Sequence, residues 1–504
     1  MPATRPLTFD DLKDRRWELL ALTSVGAFMS PLDGAIVSVA LPVMSPDLGL
    51  SFSASMWVQA AYLLATAVLL IPLGRLADQR GRVRFYLLGT VVFGGGSLLC
   101  ALSANGAWLI SSRALQGVGS ALLGATAAAI VTAAFPPEER GRALGINVMA
   151  VYLGLSVGPP LGGFLTDAFG WQAIFLINIP IAAAVFVWGW RLLPRDERAR
   201  PAGPGAPSPA GSDARHSPQR SDLAGAALLG AFLICLLVPL TFASQWGWAG
   251  ARSVVLLVLA GASLVGFVVV ERRVADPLLD LDLLLHNRLF AAANSAALLN
   301  YMALYAISIL TAVFLEVVQG RSASLTGWIM LSQPVMQAVL APLAGRLSDR
   351  VGSRVLATAG MSLVAAGMLL LGSMPADAAL ARVMASLAVV GVGLASFSAP
   401  NTSAVMGSVR RDQLGLAGAF LATMRVVGMA LSVAILGGIA ASQLGRAGGR
   451  LIFSHGGGSG ALGAQAAADF ATGYRYAMYT GAALAVLGAL VSLTRGAHAT
   501  VAGV

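Results

Sequence analysis

Charge is what this chain has least of. Only 11% of its 504 residues are Asp, Glu, Lys or Arg, against about 25% in a typical soluble protein. An ordinary cytosolic enzyme, a disordered protein and a single-span receptor are all excluded. Cysteine is nearly absent too. Cys100 and Cys235 both sit in apolar runs, so neither a disulfide framework nor a CxxC metal site can be built. The four histidines, His216, His286, His455 and His498, are scattered, and no HExxH pattern occurs. Lysine occurs once, at Lys13. A P-loop needs Gly-Lys-Ser/Thr to hold nucleotide phosphates, so ATP hydrolysis by that route is excluded. Uphill movement of a solute would have to draw on an ion gradient or a partner.

What the chain has is apolar length. It is 57% hydrophobic, and a membrane helix takes about 20 mostly apolar residues. Fourteen spans are expected, at 19–41, 55–74, 84–104, 108–134, 144–166, 171–193, 222–243, 252–271, 289–316, 324–345, 355–374, 379–407, 415–441 and 473–494. The fold class is therefore an all-α polytopic membrane protein. The net charge of +10 follows from topology. With the N-terminus inside, 25 Lys and Arg fall on cytoplasmic segments, six on external ones, and two, Arg113 and Arg425, within spans. That asymmetry is the positive-inside pattern, with both termini cytoplasmic. The arginines do not form a basic module with interleaved aromatics, so no nucleic-acid partner is expected.

Residues 194–221 are rich in Pro, Gly, Ser and Arg and read as a cytoplasmic linker with no core. A cytoplasmic segment at 1–18 and a bundle at 19–193 precede it. Two extra spans at 222–271, a second bundle at 272–494 and a tail at 495–504 follow. The external segment 443–472, rich in Gly and Ala, reads as loose. An internal repeat supports two bundles: GRLADQRG at 74–81 recurs as GRLSDRVG at 345–352. Such repeats are a mark of alternating-access transporters.

Four more stretches carry chemistry. Asp33, in LDGAIVSVALP (32–42), lies nine residues from the expected outer end, about 14 Å deep at 1.5 Å per residue. A carboxylate at that depth is costly and by default functional; the other reading is a cap for a kink beside Pro31. Arg113, in RALQGVG (113–119), shares the outer half of the membrane with Asp33 and needs a carboxylate or carbonyl partner, or else snorkels to the interface. In GLSVGPPLGG (154–163), Gly154, Gly158 and Gly162 line one helix face and admit a close neighbour, while Pro159 and Pro160 bend the span. The last stretch is WQAIFLINIP (171–180).

Together these motifs resemble the major facilitator superfamily, and within it the fourteen-helix drug:proton antiporters of the EmrB/QacA type, over about 15–495. The resemblance implies two six-helix bundles plus two extra helices. It implies a proton-coupled antiporter exporting lipophilic drugs or antibiotics across the plasma membrane, or a dedicated exporter of one endogenous metabolite. Asp33 and Arg113 become proton-coupling residues, and Gly154, Gly158, Pro159, Gly162 and Gly163 the antiporter motif. The repeated loops (Gly74, Asp78, Gly81 and Arg82; Gly345, Asp349, Gly352 and Arg354) become latches of the inner gate. In the second copy Ser353 stands where the first has Arg82. Gln172 replaces the arginine usual in the fourth motif, and Phe314-Leu315-Glu316 stands where relatives often carry Leu-Gln. Glu316 reads either as a second coupling carboxylate or as a solvated group at a helix end.

The resemblance further implies a central cavity. Its candidate lining is Phe28, Trp57, Tyr62, Tyr152, Asn294, Asn300, Tyr301, Tyr305, Met336 and Gln337, an aromatic and Met-containing wall that suits bulky lipophilic compounds. Arg425 reads either as a cavity residue or as a structural partner to carbonyls. Expected partners are the substrate, protons and the bilayer. No cofactor or metal is expected, no periplasmic adaptor is indicated, and the chain is expected to be a monomer. Asp33→Asn is expected to abolish proton-driven transport and leave folding intact.

Overall fold

The computed structural model describes residues 15–136, 139–192, 223–247, 249–274, 281–409, 414–453 and 461–495. The expected linker at 194–221, Lys13 and the tail beyond Arg495 lie outside them.

The first bundle comprises α1 (Arg16–Asp47), α2 (Phe52–Arg80), α3 (Arg82–Ala101), α4 (Gly106–Ala134), α5 (Arg140–Phe169), α6 (Ala173–Leu176) and α7 (Asn178–Leu192). Then come α8 (Leu223–Trp246), α9 (Ala251–Glu271) and the short α10 (Leu281–His286). The second bundle comprises α11 (Arg288–Val313), α12 (Ala323–Met330), α13 (Ser332–Val351), α14 (Ser353–Gly372), α15 (Leu380–Gly407), α16 (Leu414–Leu451) and α17 (Ala461–Leu493). A π-helical turn, Phe314–Val318, ends α11. Segments this apolar form helices because lipid offers no partner for a backbone N–H or C=O. Polar caps fix where several start. The side chains of Asn105 and Asn287 accept from the backbone N–H of Trp108 and Phe290, at 2.9 and 3.0 Å, satisfying donors the first turn leaves open.

Among the described residues thirteen helices are long and apolar enough to cross a membrane. The fourteenth expected span, 324–345, is present but broken into α12 and α13 at Leu331. The cause is local, since Pro334 has no N–H to donate to the Met330 carbonyl. The segment 443–472 also departs from expectation. Helix α16 runs on to Leu451 across a kink at Gly445, and α17 begins at Ala461, because alanine is the strongest helix former.

The repeat is visible as geometry. Gly81 and Gly352 separate α2 from α3 and α13 from α14, with φ of 106° and 89°. Each N–H closes on the carbonyl four residues back, at 2.9 Å. A side chain at either position is strained, so both copies keep glycine.

Helices α8 and α9 pair with each other, and α8 lies against α2 and α16. The bundles meet through α2–α16 and α5–α12. Those contacts gather at the end that the arginine distribution assigns to the outside. Phe52 packs on Phe453 and Phe470, with ring centroids 6.2 and 5.4 Å apart. The antiporter-motif glycines divide between two tasks. A Cβ on Gly154, Gly158 or Gly162 would meet atoms of α1 at 2.5, 2.5 and 2.7 Å, inside the first bundle. A Cβ on Gly163 would meet the Ala323 carbonyl of α12 at 2.2 Å, across the seam. From the other side, a Cβ on Gly327 of α12 would clash with the Pro159 carbonyl.

Candidate functional site

Asp33 and Arg113 come together in the core of the first bundle, both at 0% exposure, with Arg113 Nη1 on Asp33 Oδ2. The guanidinium is saturated from several elements. Its Nε donates to the Val58 carbonyl at 3.0 Å, Nη2 to Gln59 Oε1 at 2.9 Å, and Nη1 also to Gln116 Oε1 at 2.5 Å. Its carbon lies 4.4 Å from the Tyr62 ring centroid, within cation–π range. Because arginine only donates, it fixes both amide orientations. The Gln116 nitrogen is thereby turned to Asp33 Oδ1 at 2.8 Å and to Ser97 at 2.7 Å. Gln59 gives its nitrogen to the Gly34 carbonyl at 2.6 Å, and Asn178 Nδ2 donates to Asp33 Oδ1 at 2.8 Å.

Among the described residues, every hydrogen bond that reaches Asp33 is donated to it, by Arg113, Gln116 and Asn178, while Oδ1 of Asn178 is itself buried without a partner. Gln59, Gln116, Asn178 and Ser97 were not among the expected site residues. Gln116 was within reach of the sequence, since three residues after Arg113 it shares that helix face.

Tyr62, expected on an open wall, is 3% exposed. Its hydroxyl pairs with Ser30 at 2.5 Å and with Ser120 at 2.9 Å. Tyr305 reaches over from α11, and a Cβ on Gly34 would meet its hydroxyl at 3.1 Å. Arg425, Tyr301 and Tyr152 form a second group, from α16, α11 and α5, close enough for each to act electrostatically on another. Phe28 and Met336 are half-buried. Asn294, Asn300 and Gln337 are buried in helix packing and present no open surface here. Trp57 is half-buried and stacks on Phe242 of α8, 6.1 Å between centroids at 10°.

Glu316 stands apart from Asp33. It sits in the π-helical turn with Oε1 buried and unpartnered. The acidic group whose charge acts on it is Asp167 of α5. Asp167 in turn accepts the Ser324 N–H at 2.8 Å, capping α12 across the seam. At the opposite end of the molecule, Arg82 pairs with Asp78 at 2.6 Å and donates to the Ala129 carbonyl at 3.5 Å. Gly74 packs near Ala125, whereas a Cβ on Gly345 would meet nothing within 4 Å. Arg354 is exposed, and the side chain of Asp349 lies outside the described ones. An ion pair as exposed as Asp78–Arg82 is worth about 1 kcal/mol at most. Asp78→Asn is therefore expected to melt close to wild type while slowing transport; a large loss of thermal stability would make the pair structural.

Arg495, two residues beyond the end of α17, is buried inside the protein. It is 1% exposed, with Nη2 on Asn401 Oδ1. Burial pushes its guanidinium down to about 10, so it stays charged at neutral pH. Two shallow grooves, one lined by Phe186 and Trp190 of α7 and one lined also by Arg84 and Leu88 of α3, include no residue of either group.

Two helical bundles built on a repeated loop, with a sealed ion pair in one and a seam between them, define a multi-pass membrane carrier. The chain belongs to the major facilitator superfamily, whose model matches residues 23–293 and 293–501. It is 32% identical to the riboflavin transporter RibZ of Clostridioides difficile, over 85% of this chain and 89% of that protein. It is 33% identical to the multidrug resistance protein Stp of Mycobacterium tuberculosis, over 85% and 77%. It is 31% identical to the tetracenomycin C resistance and export protein of Streptomyces glaucescens, over 86% and 78%. These relatives are transporters, not enzymes. In fold it is similar to a bacterial homolog of the human lysosomal transporter Spinster, with TM-score 0.66, 17% identity and coverage of 95% and 96%.

Proposed function

We propose that this chain is a proton-coupled antiporter of the plasma membrane, with both termini cytoplasmic, exporting lipophilic drugs or antibiotics by alternating access. The observation that carries the reading is the Asp33–Arg113 pair, a carboxylate sealed in the first bundle against a guanidinium. Protonation of Asp33 removes the charge that holds Arg113. The cluster then has to rearrange, and it touches α1, α2, α3, α4 and α7. Helix α1 also carries the face against which Gly154, Gly158 and Gly162 of α5 pack, and α5 forms the seam with the second bundle. A proton at Asp33 is thus linked mechanically to the seam. The proton gradient supplies the energy, each charge crossing 100 mV being worth about 2.3 kcal/mol.

A second reading, a dedicated exporter of one endogenous metabolite, is favoured by likeness to the tetracenomycin C export protein. One experiment addresses both: a panel of dyes and antibiotics tested for efflux from cells, with and without an uncoupler. Broad uncoupler-sensitive efflux supports the drug exporter. A single protected compound supports the dedicated one. Efflux that ignores the uncoupler contradicts proton coupling in either.

A further inference from the structure

The two membrane-embedded arginines are treated differently by the fold. Arg113 has a carboxylate. Arg425 has none among the described residues: its Nη2 donates to Thr402 Oγ1 at 3.0 Å, and its Nε is buried without an acceptor. A guanidinium does not lose its proton in a protein, so a positive charge stands here uncompensated. It is also reachable. Its Nε is enclosed by protein atoms, yet part of the Arg425 side chain remains accessible. Tyr301 and Tyr152 share both properties of place: each is partly open, and each acts on Arg425 electrostatically. The Tyr301 ring centroid is 5.8 Å from the guanidinium carbon. Tyr152 belongs to the other bundle, so a molecule bound here touches both halves that must move. Neither tyrosine hydroxyl has a hydrogen-bond partner among the described residues, which leaves two free donors beside a cation.

The charge balance points one way. Asp33 is sealed and neutralised by Arg113. Glu316 and Asp167 lie at the outer seam. A cationic ligand beside Arg425 would find no countercharge and a like charge in front of it. An acidic one would find a guanidinium, two phenolic donors and flat aromatic walls.

We propose that the group of Arg425, Tyr301 and Tyr152 selects planar lipophilic compounds bearing an acidic group, carboxylate or ionised phenol, and that Arg425 is the residue that holds the acid. The proposal rests on the export reading for its biological sense, but binding tests it without transport.

Fluorescein and rhodamine 6G share a tricyclic xanthene plane and differ in sign of charge at neutral pH. Binding of each to purified protein in lipid nanodiscs is read by fluorescence anisotropy. Fluorescein is expected to bind at least about tenfold more tightly, and Arg425→Gln to weaken it about 10- to 100-fold, the range for one lost charged hydrogen bond. Rhodamine 6G binding should stay level or improve in that variant. Arg425→Lys keeps the charge and should retain part of the affinity. Both variants should melt like wild type, since glutamine removes an unpaired charge and lysine preserves it.

Tighter binding of rhodamine 6G, fluorescein binding indifferent to Arg425→Gln, or no binding of either dye overturns the proposal. A protein that binds fluorescein through Arg425 yet moves no protons keeps this inference and loses the antiport reading. One that exchanges protons for rhodamine 6G alone does the reverse.

Discussion

Asp33→Asn is expected to destabilise the protein by about 3–5 kcal/mol, the cost of leaving a buried charge without its partner. Arg113→Gln should cost distinctly less. The asymmetry follows from chemistry. With Asp33 gone, Arg113 cannot shed its proton and remains a cation at 0% exposure. With Arg113 gone, Asp33 can take up a proton and still keeps the amides of Gln116 and Asn178. The double variant Asp33→Asn/Arg113→Gln should recover much of the stability and none of the proton coupling. Thermal unfolding in detergent, run on all four proteins at neutral pH, measures this. Equal losses in the two single variants would mean that the pair is not the closed unit described here. The buried pair also revises the expectation that Asp33→Asn leaves folding intact, so a functional comparison is cleaner with the double variant.

The second large effect separates glycines of one motif. Gly158→Leu is expected to destabilise the first bundle, because its Cβ already meets Ala35 Cβ at 2.5 Å and both helices belong to the same half. Overpacking of this kind costs about 1–3 kcal/mol. Gly327→Leu should behave differently. Its clash is with Pro159 across the seam, and a carrier open at that end relieves it without unfolding. The expected outcome is near-wild-type thermal stability with transport lost and the outer end held open. Spin-label distances between the ends of α5 and α12 report it, lengthening by several ångströms relative to wild type. A Gly327→Leu protein that unfolds, or one that transports normally, contradicts the assignment of that contact to a moving seam.

How far the sequence could be read depended on how rare each residue type is in an apolar helix. Asp33 and Arg113 were legible because a charge there has few explanations, and the structure brings them together. The amides that complete the cluster were harder. Gln59 and Asn178 come from other helices, 54 residues before and 145 residues after the groups they bind, and nothing local aims them. Helices apolar on every side carry no face signal, so the stacking of Trp57 on Phe242 of α8 was not legible. The break at Leu331 was readable from Pro334. The helical course of 443–451 and 461–472 was obscured because the many glycines of 443–472 suggest a loop as strongly as its alanines suggest a helix. The repeat was the most faithful signal, since Gly81 and Gly352 adopt the same unusual backbone region at equivalent turns. Arg425 was visible as a charge, but only the structure shows that no acid pairs with it among the described residues.

Proton movement itself tests the central claim most directly. Purified wild-type protein and the Asp33→Asn/Arg113→Gln variant are reconstituted into vesicles loaded with a pH-sensitive dye, and an exported compound from the efflux panel is added. Wild type should exchange it for protons, with a change in internal pH that an uncoupler abolishes, while the folded double variant gives none. A double variant that moves protons as wild type does would show that Asp33 and Arg113 are not the coupling site.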